Sequence, residues 1–116
     1  MQLRVSPRNE FLLAEIGGLV SVAAWEGVLG ELGRAAHEAT PRRLVVDLTA
    51  LVGWLGIPER QEVGVLMASH LAAFERVSLF IQAEKITGVV ESQARSHGLE
   101  MRLFSSCDDA VRWALA

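Results

Sequence analysis

The apolar positions of this 116-residue chain change period along its length, and the changes mark out strands and helices. Leu3-Arg4-Val5 alternates and predicts a short edge strand. Ser6-Pro7-Arg8-Asn9 is turn chemistry, since proline presets φ and asparagine tolerates left-handed backbone. Residues 11–16 form a second apolar run, so the pair predicts a hairpin, which Gly17-Gly18 ends. Trp25, Val28, Leu29, Leu32 and Ala36 then recur at three- and four-residue spacing, the stripe of an amphipathic helix. Ser21 is placed to cap that helix through its hydroxyl. Gly27, Gly30 and Gly33 form a bare ridge along it and predict close packing there. Thr40-Pro41 closes it, because the residue before proline is pushed out of helical space.

Residues 44–48 are apolar except for Asp47, which suits a central strand buried on both faces. Residues 49–57 read as a loop, and Pro58 fits the first turn of a second helix, where its missing N–H costs nothing. Glu59 and Glu62 stand at the positive end of that helix's dipole. Val63, Leu66, Met67, His70, Leu71 and Phe74 mark its buried face, widened by Val65, Ala68 and Ala72. A strand is predicted over 76–81 and a connection over 82–85. A third helix starts near Ile86, with Thr87 as its cap, Val89, Val90 and Ala94 as its stripe, and a stop at His97-Gly98. Residues 99–104 alternate like a half-exposed edge strand. Ser106 and Asp109 resemble a capping box, and Ala110, Val111, Ala114 and Leu115 line a last helix.

The order is therefore β-β-α-β-α-β-α-β-α. Strands alternating with helices define an α/β fold with a mixed, mainly parallel five-stranded sheet, an N-terminal hairpin and about four helices. One domain over residues 1–116 is expected from the length. Ligands of such sheets bind beyond the carboxyl ends of the strands, which is where the stretch from Asp47 to Pro58 falls.

Composition narrows the function classes. Half the residues are hydrophobic, enough for a core without staples. Eleven basic against 14 acidic residues leave a net charge of −3, without the basic face that nucleic acid demands. The single Cys107 excludes an internal disulfide and fits a reducing compartment. The first ten residues carry Arg4, Arg8 and Glu10 and no signal-peptide apolar core. The longest uncharged runs are too short to span a bilayer. A soluble, cytoplasmic protein is expected.

Several stretches together resemble the STAS fold of anti-sigma-factor antagonists. They are the order of elements, Gly18-Leu19-Val20-Ser21 leading into the first helix, Val45-Val46-Asp47-Leu48, and the closing Met101-Arg102-Leu103-Phe104 and Asp109-Ala110-Val111-Arg112-Trp113-Ala114-Leu115. Asp47-Leu48 with Gly53-Trp54, and Phe104 with Trp113-Ala114-Leu115, are closer to the divergent antagonist-like (SpoIIAA-like) branch, a group of small bacterial proteins. That branch is in turn similar to CRAL-TRIO lipid-binding domains. The resemblance implies a regulatory or protein-interaction module with a protein partner. Phospho-switch antagonists carry a phosphorylatable serine at the start of the second helix, but residues 53–58 here contain no serine, threonine or tyrosine.

No catalytic constellation stands out, so no enzyme, cofactor or metal is expected. Asp47 fits a structural acid that accepts loop hydrogen bonds. His37, His70 and His97 are far apart and lack ligand spacing, and His70 falls on an apolar helix face. Cys107 sits at a helix start, where the dipole favours thiolate but Asp108 and Asp109 oppose it. Arg95 could face the carboxyl-end cleft. An enzyme would need Asp47, His70 or Arg95 to converge. The sharpest feature is Leu51, Val52, Trp54, Leu55 and Ile57, hinged by Gly53 and Gly56. This stretch either folds back as a lid or forms a contact surface for a protein, a lipid or a second copy in a homodimer. The candidate binding residues are Asp47, Leu51, Gly53, Trp54, Leu55, Gly56, Ile57, Pro58, Glu59 and Arg60. An apolar cleft for a hydrophobic small molecule or lipid is the alternative.

Overall fold

The computed structural model describes residues 1–39 and 42–116; the first helix already ends at Ala35, before the expected stop, and Thr40 and Pro41 themselves lie outside the described residues. The elements are β1 (Gln2–Pro7), β2 (Leu12–Leu19), α1 (Val22–Ala35), β3 (Arg43–Val52), α2 (Ile57–His70), β4 (Arg76–Phe80), α3 (Val89–Ser96), β5 (Met101–Phe104) and α4 (Cys107–Leu115). A 3-10 turn at Ala83–Lys85 joins β4 to α3. The strands lie in chain order, β1-β2-β3-β4-β5, with β1 antiparallel to β2 and the rest parallel. The expected mixed α/β sheet and its four helices are the ones found.

Alternation along the strands sorts the side chains onto two faces. Leu12, Ala14, Ile16, Leu44, Val46, Val77, Leu79 and Met101 are buried in the main core, with Trp25, Val28, Leu29 and Leu32 of α1 and Val63 and Met67 of α2. Ser21 caps α1 as its sequence position implies, its Oγ accepting from Ala24 N–H at 3.1 Å. On the other face Val45 and Phe80 meet Ala110 and Ala114 of α4 in a smaller cluster. Two arginines on the first paired rung of β3 and β4 hold the far end of α4. Arg43 Nη1 donates to Ala114 O at 2.6 Å, and Arg76 Nη1 donates to Trp113 O at 2.7 Å. Carbonyls in the last turn of a helix lack the usual i+4 partner; Trp113 O also accepts from Ala116 N–H at 3.3 Å.

The largest departure from the sequence pattern concerns β2 and β3. Gly17-Gly18 does not end β2, which runs on to Leu19, and residues 49–52 are strand, not loop. The cause is a bulge. Glu15 faces Asp47 and Gly17 faces Ala50, so two residues of β2 span three of β3. Asp47 holds the extra residue in place: its Oδ1 accepts from Thr49 N–H at 2.9 Å and from Thr49 Oγ1 at 2.6 Å. Strict alternation would put Leu51 on the face of Asp47. The added residue turns it into the core, where it is buried.

β4 ends at Phe80, level with Asp47, not at Ile81. Beyond that rung β3 pairs only with β2, so its far edge lacks a strand. Two side chains serve the carbonyls there: Gln82 Nε2 donates to Thr49 O at 2.8 Å and Lys85 Nζ donates to Leu51 O at 3.1 Å.

Smaller corrections follow from packing. Of the three-glycine ridge only Gly33 meets a neighbour closely; a Cβ there would lie 2.5 Å from His70 O of α2, whereas Gly27 faces open space. His70 is half-buried at the end of α2, and Val65 and Ala72 are exposed. α3 starts at Val89, because Gly88 at φ 82° takes the cap position expected of Thr87. Ser106 caps α4, but the Asp109 carboxylate turns to Arg112 instead of completing a box. β5 begins at Met101, two residues later than its alternation implied.

Candidate functional site

The bulged ends of β2 and β3 carry an apolar corner into solvent. Leu19 and Val52 are register partners on the last rung and are 70% and 59% exposed. Gly53, at φ 97°, turns the chain where other residues would be strained, and a Cβ there would touch Leu19 and Val20. Trp54 follows, 58% exposed, and Ile57 opens α2 at 60%. These four are the largest exposures among the large hydrophobic side chains of the described residues. Trp54 and Ile57 thus face solvent, while Leu55 between them packs against the main core. The Arg60 guanidinium lies over the Trp54 ring, 4.9 Å from its centroid, within cation–π range.

Behind the corner lies an apolar pocket of about 110 Å³. Leu51, Gly53, Trp54, Leu55 and Arg60 of the candidate set line it, together with Met67 of α2, Val90 of α3, and Met101 and Leu103 of β5. The pocket exists because the short β4 and β5 leave a step below the longer β3. The approach of α2 to α3 closes its back: Gly64 lies so near α3 that a Cβ would stand 2.7 Å from Val90 O.

The remaining candidates are placed differently. Gly56 is an extended N-cap at φ −70° without a side-chain cap bond, so of the two expected hinges only Gly53 needs glycine backbone. Pro58 sits in the first turn of α2, as expected, with Glu59 beside it. Asp47 belongs to the opposite face of the sheet, where its carboxylate is committed to Thr49, so it does not join the apolar set. Asp47, His70 and Arg95 do not converge. Arg95 pairs with Glu91 at 3.8 Å along α3, and His70 lies against α1 at the far end of α2. Cys107 is exposed, and its thiol pKa is raised, first by partial burial and then by the Asp108 and Asp47 carboxylates. Partial burial, reinforced by the two carboxylates, thus sets the direction of the shift. Among the described residues no three metal-ligating side chains gather, and no helix is long and apolar enough to cross a membrane.

Sequence reasoning missed Leu19, Val20 and Lys85. Gly17-Gly18 read as a stop, which hid the two apolar residues behind it. Lys85 looked like an ordinary connection residue. The unserved carbonyl of Leu51 is what gives it a place, and only the register reveals that.

The element order, the antiparallel first strand and the helix placement define a STAS-like fold. The structure is similar to the crystal structure of an anti-sigma factor antagonist from Mycobacterium paratuberculosis, with a TM-score of 0.63 and 13% sequence identity, covering 97% of this chain and 92% of that one. No protein-family model matches the sequence, and no curated protein matches it.

Proposed function

We propose that this chain is a non-catalytic STAS-like regulatory module, bacterial and cytoplasmic, that works by contact with a protein partner. The carrying observation is the corner of Leu19, Val52, Trp54 and Ile57, each more than half exposed. A small protein that leaves a tryptophan in water beside three aliphatic side chains pays for it in solubility unless something covers them. Tryptophan is also enriched at the centres of interfaces. The solved neighbour is an anti-sigma factor antagonist, which supports a partner of the protein class. The start of α2 offers no hydroxyl to a kinase, and the nearby Thr49 hydroxyl is bound to Asp47. The contact on this reading is constitutive, not gated by phosphate there. A second copy of the chain could occupy the same surface, and sedimentation distinguishes it.

The test places a photocrosslinking residue at position 59, exposed in the first turn of α2 beside the corner, and as a control at Arg8 in the β1–β2 turn. The partner should be labelled from position 59 only. In the purified pair, Trp54→Ala should weaken binding about thirtyfold, the effect of a central interface residue worth about 2 kcal/mol. Equal labelling from both positions, or unchanged affinity in Trp54→Ala and Val52→Asp, overturns the assignment.

A further inference from the structure

The pocket behind Trp54 has a property that a surface for protein contact does not require: its interior is apolar while its rim is cationic. We infer that it is a binding site for a small aromatic carboxylate, with one ring inside the pocket and the anionic group at the rim beside Lys85 and Arg60. The proposal does not depend on the partner reading, because it can be read in the purified chain alone.

Size selects the ring. The pocket holds about 110 Å³ and opens to solvent. An engineered apolar cavity of about 150 Å³ takes up benzene, so this space fits one ring whose substituent points outward. It does not fit a long acyl chain without further opening. The wall chemistry agrees. Met67 and Met101 line the pocket, and thioether sulfur makes favourable contacts at aromatic edges while the flexible side chain adjusts to the guest. The Trp54 indole forms part of the outer wall, where it can stack on the ring.

Charge selects the carboxylate. Lys85 Nζ uses one of its three donors on Leu51 O, inside the pocket lining, and has two left to give. Arg60 lies over the indole at the same mouth. Neither cation has an acidic partner within ion-pair distance among the described residues. Glu91, the nearest acid on α3, is turned away: its Oε2 accepts from Leu103 N–H at 3.1 Å and its Oε1 faces Arg95. A neutral guest would leave two cations at the rim with nothing to face. A cationic guest would be repelled.

The experiment is a titration of the isotope-labelled chain, followed by amide NMR, with benzoate, benzyl alcohol and hexanoate as separate probes. Benzoate up to about 10 mM should give saturable shifts at Leu51, Leu55, Met67, Val90 and Leu103. It should bind about two- to fivefold more tightly than benzyl alcohol, the factor a solvent-screened ion pair supplies. Lys85→Gln should reduce that preference, since only the Arg60 cation then remains at the rim, while leaving benzyl alcohol binding in place. Val90→Phe fills the pocket and should abolish binding of all three probes. Leu103→Phe serves the same purpose if Val90→Phe loses its native spectrum. Absence of saturable shifts, or shifts that persist in the filled variants, overturns the site. An unchanged benzoate preference in Lys85→Gln overturns the carboxylate assignment, and hexanoate binding as tightly as benzoate overturns the ring.

Discussion

Replacing Gly64 by alanine probes the α2–α3 contact that closes the pocket. The added Cβ would stand 2.6 Å from Gln93 Cβ, 2.7 Å from Val90 O and 3.2 Å from Ala94 N. Carbon contacts are comfortable at about 3.5–4.0 Å, so the helices must separate by about 1 Å. Two of the obstructing atoms are backbone and the third is a Cβ, so none can swing aside. Overpacking of this kind costs about 1–3 kcal/mol. Alanine returns up to about 1 kcal/mol through its better helix propensity. The net expectation is a loss of about 1–2 kcal/mol. Gly27 provides the matching control. It is exposed within α1, and a Cβ there meets nothing within 4 Å. Gly27→Ala therefore keeps only the favourable term and should gain up to about 1 kcal/mol. The same chemical change carries opposite signs at two sites. Urea unfolding followed by circular dichroism measures both, because a shifted midpoint at constant slope is a change in stability. A Gly64→Ala midpoint equal to or above that of the parent chain would refute the close-packing argument. A lowered Gly27→Ala midpoint would refute the reasoning about its open surroundings.

Three further outcomes are expected. Trp54→Ala should change folding stability by less than about 1 kcal/mol, because the indole is mostly in water and loses chiefly its Arg60 contact; a loss above about 2 kcal/mol in urea unfolding would mean that the indole acts as a lid on the core. Cys107 should react with iodoacetamide more slowly at neutral pH than an unstructured cysteine, since its raised pKa keeps it protonated, and the rate should climb only at higher pH. Asp108→Asn should move that climb back down, and a half-point at or below that of free cysteine would contradict the assigned causes. Arg76→Ala removes the hydrogen bond to Trp113 O and the guanidinium 4.9 Å from the Trp113 ring, and should cost about 1–2 kcal/mol. Hydrogen exchange should quicken first in α4, and protection unchanged there would show that the clamp does not hold the helix.

Trp25, Val28, Leu29 and Leu32 announced α1 through their spacing, and the structure buries each of them. The strand at residues 44–48 was equally plain, since an apolar run with one acid leaves a central strand few alternatives. The corner was legible in part. Trp54 and Ile57 drew notice because large apolar residues stood where turn residues were expected. Leu19 did not, because a Gly-Gly pair normally ends a strand and this one continues through it. Met67 and Met101 were legible only as core positions of their own elements, and Lys85 only as a connection residue; nothing local joined the three in one pocket.

The chain's own pattern of apolar and polar residues determined the order of elements, the parallel sheet and the absence of a hydroxyl at the start of α2. Those properties depend on neighbours within a few residues, where period and capping act. Tertiary structure alone decided that Asp47 buckles β3, that Leu51 turns inward while Trp54 stays in water, and that Lys85 reaches an edge carbonyl. Each of these rests on a register between distant strands. A shift of one residue moves every later side chain to the other face, and nothing local in the sequence states where that shift falls.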